Sequence, residues 1–275
     1  MLNLLPFLTR LSENLQRVNN RVNKYLKSPN AKQIHDVRTA IRRLDATFLI
    51  LPKKNRSGSS LSEYVLKCKE LFKVNSEIRD LDIIYEKLQK YPSSDQRNSV
   101  IESLKATRDA NLENAKTIAR SIKRIDTIKI VDKIGVTEKE LQKRYDRMVS
   151  RLVSMIESTF PVVLTSPSKL DELHDLRISC KKLKYLLELQ ADEKKSVLRT
   201  RKTLQKLQDI LGAIHDYDFA IEYLSSLGQS SLEIQEIIAI EKEERCAKFD
   251  EFLRFCKRRL DISPDSFLIA LRNLN

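Results

Sequence analysis

All three histidines are followed by an aspartate, and two of them lead basic runs. His35 stands three residues before Arg38 and seven before Arg42, and His174 stands three before Arg177 and seven before Lys181. On a helix, positions i, i+3 and i+7 fall within about 60° of one another, so each run places an imidazole and two cations on one flank. Lys184 extends the second run by a turn. These are groups that bind phosphate: guanidinium grips two oxygens at once, ammonium acts as a mobile point charge, and imidazole donates a hydrogen bond in either protonation state. Three further runs repeat the pattern, through Arg17, Arg21 and Lys24, through Arg144, Arg147 and Arg151, and through Lys195, Arg199, Lys202 and Lys206. Like charges at i, i+3 or i, i+4 repel by a few tenths of a kcal/mol per pair, so such stripes cost stability unless an anion or an acidic partner compensates. Asp80, Asp82, Asp216 and Asp218 are candidate partners. The competing reading of any single stripe is a solvated face held by ion pairs.

The same residues argue against a metal. Neighbouring helical side chains point about 100° apart, so a His-Asp dipeptide cannot readily close on one ion, and the basic residues on that flank repel a divalent cation. No cofactor is expected. A core histidine donating to a backbone carbonyl is the structural alternative for His35 and His174, and His215, which aligns with Arg79, reads as a substitute cation. Four widely spaced glycines exclude a P-loop or a dinucleotide-binding turn. A formal net charge of +13 favours an anionic partner, and nucleic acid, anionic lipid and polyphosphate all satisfy it. The chain has no tryptophan and only 6% aromatic residues, a poor basis for stacking bases, and nothing reads as a helix-turn-helix or zinc finger. No general base, nucleophile and metal can be assembled into a phosphohydrolase or phosphotransferase.

The elements that carry these stripes read as all-α, because apolar residues recur at three- and four-residue spacing between rare prolines and glycines. Leu8, Leu11, Leu15, Val18 and Val22 form the core stripe of a first helix ending near Ser28. Ile34, Val37, Ile41, Leu44 and Phe48 form a second, stopped by Pro52. A polar loop is expected at 53–60, a third helix to about Tyr91 and a fourth to about Arg124. The second half should place helices near 138–159, 169–190, 194–227 and 231–260, broken by Pro161, Pro167 and Gly228, with a short docked tail from Ser263. The halves also match residue by residue. His174 follows His35 by 139 residues within matching runs, and the segment Ile214-His215-Asp216-Tyr217-Asp218 follows Ile78-Arg79-Asp80-Leu81-Asp82 by 136. Two motifs in one order at nearly one spacing imply an internal duplication: tandem four-helix bundles over 1–133 and 134–275, related by a pseudo-twofold axis. No apolar run suffices for a membrane span, and the first nine residues read as mature helix. Four scattered cysteines fit buried, reduced thiols of a cytoplasmic protein.

At the His35-x-x-Arg38, Arg42-Arg43-Leu44 run, its partner His174-x-x-Arg177 with Lys181-Lys182-Leu183-Lys184-Tyr185, the Arg79-Asp80-Leu81-Asp82 segment and Leu207-Gln208-Asp209-Ile210-Leu211-Gly212, the sequence resembles the CHAD domain, the conserved histidine α-helical domain. The resemblance reaches from the first helix to about residue 260. It implies paired four-helix bundles with a central basic channel that binds inorganic polyphosphate, and a binding module in place of an enzyme. On that basis His35, Arg38, Arg42, His174, Arg177, Lys181 and Lys184 are the expected phosphate ligands, with Arg17, Arg21, Arg147, Arg151, Lys202 and Lys206 behind them. Association with polyphosphate granules is the matching expectation for location, and non-specific nucleic-acid binding the alternative function.

Overall fold

The computed structural model describes residues 2–127, 134–190, 195–227 and 231–260 together with Leu271, the side chains of 259 and 260 excepted. Among the described residues every regular element is a helix, and none is a strand. In chain order the helices are α1 (Leu4–Lys27), α2 (Ala31–Ile50), the single turn α3 (Lys53–Arg56), α4 (Ser60–Leu88), α5 (Asp95–Lys123), α6 (Glu138–Val163), α7 (Leu170–Leu187), α8 (Lys195–Ser226) and α9 (Leu232–Phe255), which runs on into a π-helical turn, Cys256–Leu260. The expected loop at 53–60 therefore begins with a helical turn. Pro161 does not end α6: so close to the C-terminus its missing N–H releases only the carbonyl of Glu157, on a half-exposed stretch. The break expected at Gly228 and the tail from Ser263 lie outside the described residues, apart from Leu271, which is buried.

Helix starts follow local chemistry. Asn30 accepts from the Gln33 N–H at 3.0 Å to open α2, and Ser94 accepts from the Arg97 N–H at 3.1 Å to open α5. Ser59 and Ser62 satisfy each other's backbone N–H groups at the start of α4. Thr137 and Glu140 do the same at α6, with distances of 2.9 and 3.2 Å. That backbone hydrogen bond, with help from Lys54, holds the Glu140 carboxyl below its usual range. α1 lacks a side-chain cap of its own, and its first N–H is met from elsewhere: Leu4 donates to Glu138 Oε1 at 2.8 Å, while Leu2, just before the helix, donates to Gln142 Oε1 at 2.7 Å.

The chain divides into two compact units, Met1–Tyr145 and Asp146–Asn275. In the first, α1 packs on α2, α2 on α4, α4 on α5 and α5 back on α1, closing a ring of four. Leu11, Leu15, Val18 and Val22 of α1 and Ile34, Val37, Ile41 and Leu44 of α2 are buried at its centre, as their spacing predicts. The boundary falls within α6 because its first turns belong to this unit. Besides the contacts to Leu2 and Leu4, Arg144 donates to the Leu49 carbonyl at 2.9 Å and Lys54 pairs with Glu140 at 3.1 Å. In the second unit α7 packs on α8 and α8 on α9, and α6 meets α9 where Phe160 and Phe252 touch edge to face at 6.2 Å. Leu173, Leu176, Cys180 and Leu183 of α7 and Leu204, Leu207, Leu211 and Ile214 of α8 form the buried faces. Cys68, Cys180 and Cys256 are buried, and burial pushes each thiol up to about 12; Cys246, also expected inside, is exposed. No helix among the described residues is long and apolar enough to cross a membrane.

Candidate functional site

The core stripe of α2 fixes what its flank can offer. With Ile34, Val37 and Ile41 inside, the next positions round, His35, Arg38 and Arg42, stand at the edge of the packed face. His35 is exposed and lies 3.5 Å from the Thr39 hydroxyl through its Nε2; Arg38 and Arg42 are half-buried. Both guanidiniums lie over the ring of Phe72 on α4, 5.6 and 5.0 Å from its centroid. An aromatic face attracts cations, so Phe72 relieves the repulsion expected between two arginines one turn apart. Arg79 of α4 completes the group and forks onto Glu86 at 2.9 and 3.5 Å. Burial holds the His35 imidazole below its usual pKa, with Asp36 opposing and Arg38, Arg42 and Arg79 reinforcing the shift. The unit thus gathers an imidazole, three arginines and a phenyl ring from two adjacent helices.

The second unit builds the same edge from α7 and α8. His174, Arg177 and Lys181 flank the buried Leu173, Leu176 and Cys180. Where α4 carries Arg79, α8 carries His215, whose ring lies 5.3 Å from that of His174, tilted by 31°. Both rings line an open cleft of about 660 Å³, shared with Leu170, Asp171, Leu211, Phe219 and Glu222 among others. Burial again lowers the His174 pKa, followed by Arg177 and His215, with Asp175 opposing and Lys181 adding to the decrease. Among the described residues no group of three or more histidine, cysteine, aspartate or glutamate side chains is placed to hold a metal ion.

Not every expected ligand joins these edges. Lys184 is turned into the α7–α8 packing, 8% exposed, where its Nζ donates to Gln205 Oε1 at 2.6 Å and lies 4.6 Å over the Tyr185 ring. Arg21 is held by Asp36 at 2.7 Å, next to His35 in sequence. Arg17 is exposed on α1, Arg147 and Arg151 on α6, and Lys202 and Lys206 on α8. Helical periodicity sets Lys206 about 180° round α8 from His215 and about 13 Å along it, so the α8 lysines do not join the His174–His215 edge. Arg144, which heads the α6 run, serves packing through Leu49.

Asp82 and Asp218 hold arginines that lie outside the stripes. Asp82 accepts from Arg108 Nε of α5 at 2.6 Å, and Asp218 accepts from Arg245 Nε of α9 at 2.6 Å. These pairs tie α5 to α4, which bears Arg79, and α9 to α8, which bears His215. Asp216 lies 3.7 Å from the Nδ1 of its neighbour His215. Phe72 and the contact between His174 and His215 were not foreseen from the sequence. The available signal was spacing, since Phe72 precedes Arg79 by two helical turns on one face of α4.

Fold and site together describe an all-helical protein that presents histidine-led basic edges. The family model of the CHAD domain matches residues 9–225, and the chain belongs to the CHAD domain family. The crystal structure of the CHAD domain from the plant Ricinus communis is similar with a TM-score of 0.62 at 14% identity, over 98% of this chain and 91% of that one, a likeness of fold. No curated protein matches the chain in sequence.

Proposed function

We propose that the protein binds inorganic polyphosphate, each unit contributing one histidine-led basic edge. The observation that carries this reading is the pairing of a stripe on one helix with a cation or imidazole from the next: His35, Arg38 and Arg42 with Arg79, and His174, Arg177 and Lys181 with His215. A polyphosphate chain repeats the same anionic group along its length, so many similar footholds suit it, and affinity follows from their number. The edges offer guanidinium and imidazole donors, and at the first edge the two arginines already cover the Phe72 ring, which keeps it from bases.

We also infer that the two units arose by duplication. Beyond the matched motifs, the Arg108–Asp82 pair corresponds to Arg245–Asp218, with the same atoms at the same 2.6 Å. The Lys69–Asp45 pair at 2.8 Å occupies the positions at which the second unit has Gln205 and Lys184, also in contact.

The test is a titration with long-chain polyphosphate, RNA and triphosphate at two salt concentrations. Polyphosphate should bind most tightly, displace RNA, emerge unshortened, and lose affinity steeply with log salt, by analogy with counterion release from nucleic acids. Tighter RNA binding, a flat salt response or shortened chains would each overturn the reading.

A further inference from the structure

Arg79 and His215 occupy matching places beside the two signature histidines, yet one is a guanidinium, charged at every accessible pH, and the other an imidazole, the side-chain type that ordinarily changes charge near neutral pH. We propose that the second unit holds a phosphate subsite whose charge is set by the His174–His215 pair, so that polyphosphate binding there takes up a proton, while the first unit's subsite is fixed by Arg79. This inference rests on the polyphosphate reading and adds a regulation to it.

The geometry that carries it is the pair itself, two rings 5.3 Å apart that line one cleft. Two neutral imidazoles tolerate that approach, and two imidazolium ions repel across it. The surroundings include both signs. From α7, Arg177 and Lys181 oppose protonation of His174, while Asp175 favours it. Asp171 of α7 and Asp218 and Glu222 of α8 also line the cleft, and Asp218 is balanced by Arg245 of α9 at 2.6 Å. Asp216 lies 3.7 Å from His215 Nδ1. His174 is therefore held back from protonation by burial first, then by Arg177 and by the nearness of His215. A phosphate group at the mouth of the cleft would accept hydrogen bonds from both rings and add negative charge beside them, so it favours proton uptake. Linkage then requires affinity to rise as pH falls through the histidine range.

In the first unit the matching ion is Arg79, and its partners on α2 are held against Phe72. Only His35 titrates there, which makes a His35→Gln background the clean one for the experiment. In that background, calorimetric titration of the full chain with long-chain polyphosphate, in two buffers of different ionisation enthalpy and with a chelator present, reads proton uptake directly. Net uptake near pH 7 should be clear with His215 intact and should fall by more than half in His215→Arg. The arginine variant should bind several-fold tighter than its parent at pH 8 and about equally at pH 6. His215→Gln, a gentler change should arginine disturb packing, should bind several-fold weaker than its parent at pH 6. Equal proton uptake with and without His215, or parallel affinity curves between pH 6 and 8, would overturn the proposal while leaving polyphosphate binding in place. Absence of polyphosphate binding at either pH in the unaltered chain would remove both.

Discussion

Replacing Asp218 by alanine should destabilise the second unit more than replacing Asp82 destabilises the first. Both carboxylates accept from an arginine Nε at 2.6 Å, but the arginines differ in depth: the Arg245 side chain is 9% exposed and that of Arg108 26%. Breaking a buried ion pair by removing one partner costs about 3 to 5 kcal/mol, because the remaining charge stays in a poorly hydrated place. Arg245 has little access to water, so Asp218→Ala should fall near the lower end of that range, about 3 kcal/mol. Arg108 can rehydrate through its exposed quarter, and Asp82→Ala should cost about 1 to 2 kcal/mol, nearer the loss of one charge-assisted hydrogen bond. For a protein of this size about 3 kcal/mol corresponds to a drop of roughly 6 to 12 °C in midpoint. Urea unfolding followed by circular dichroism, with calorimetry to separate the two units, measures both variants. Asp218→Ala combined with Arg245→Met removes the stranded charge and keeps the volume, so it should recover at least half of the single-variant loss. A loss below about 0.5 kcal/mol for Asp218→Ala, or a double variant no more stable than the single one, would refute the argument, since either would place the Asp218–Arg245 pair among surface ion pairs of negligible worth.

Three further outcomes follow from the site. Arg177→Ala with Lys181→Ala should weaken polyphosphate binding at least tenfold and leave helical content unchanged, since both side chains stand beside the core and not in it; a collapse of the circular dichroism signal would make their role structural. Phe72→Leu keeps an apolar side chain beneath Arg38 and Arg42 but removes the ring face, so it should weaken binding about threefold, with Phe72→Tyr restoring it; equal affinity in all three would deny Phe72 a positioning role. Because His35 and His174 have lowered pKa values in the folded chain, the unfolded chain binds more protons between those values and about 6.5. Their contribution to stability is therefore complete above about pH 6.5 and is lost as pH falls through the folded values, and bound polyphosphate should reduce that loss. Midpoints between pH 7.5 and 5 for the wild type and for His35→Gln with His174→Gln measure it, and parallel curves would count against it.

Helix periodicity made the core legible. The α2 stripe is buried as spacing predicts and so is the α1 stripe from Leu11 on, whereas Leu8 is only half-buried and Phe7 fills the core beside it; α1, α2 and α5 end within a residue or two of where Ser28, Pro52 and Arg124 suggested. What spacing could not reveal depends on tertiary partners. The unit boundary lies inside α6 because Glu138, Gln142 and Arg144 bond to Leu4, Leu2 and Leu49, contacts that leave no local pattern in the sequence. The basic edges show the same limit. Periodicity within α2 and α7 identified the stripes, yet Lys181 and Lys184 looked equivalent, and only the crossing of α8, which brings Gln205 to Lys184, distinguishes the half-buried lysine at the edge from the buried one. Phe72 and His215 acquire their roles from how α4 meets α2 and α8 meets α7.

That crossing also brings unlike residues to matched positions. In the first unit Asp45 of α2 takes Lys69 of α4 at 2.8 Å. At the matching positions of the second unit Lys184 meets Gln205, which in turn donates to Asp209 at 2.6 Å. At the next crossing His215 stands where the first unit has Arg79. A proton added at His215 has no counterpart at Arg79, which is charged already, so acidification should set the two edges apart. Lys184 lies buried behind the edge, and its substitution by glutamine should lower affinity at all pH values alike, whereas the effect of substituting His215 should change with pH.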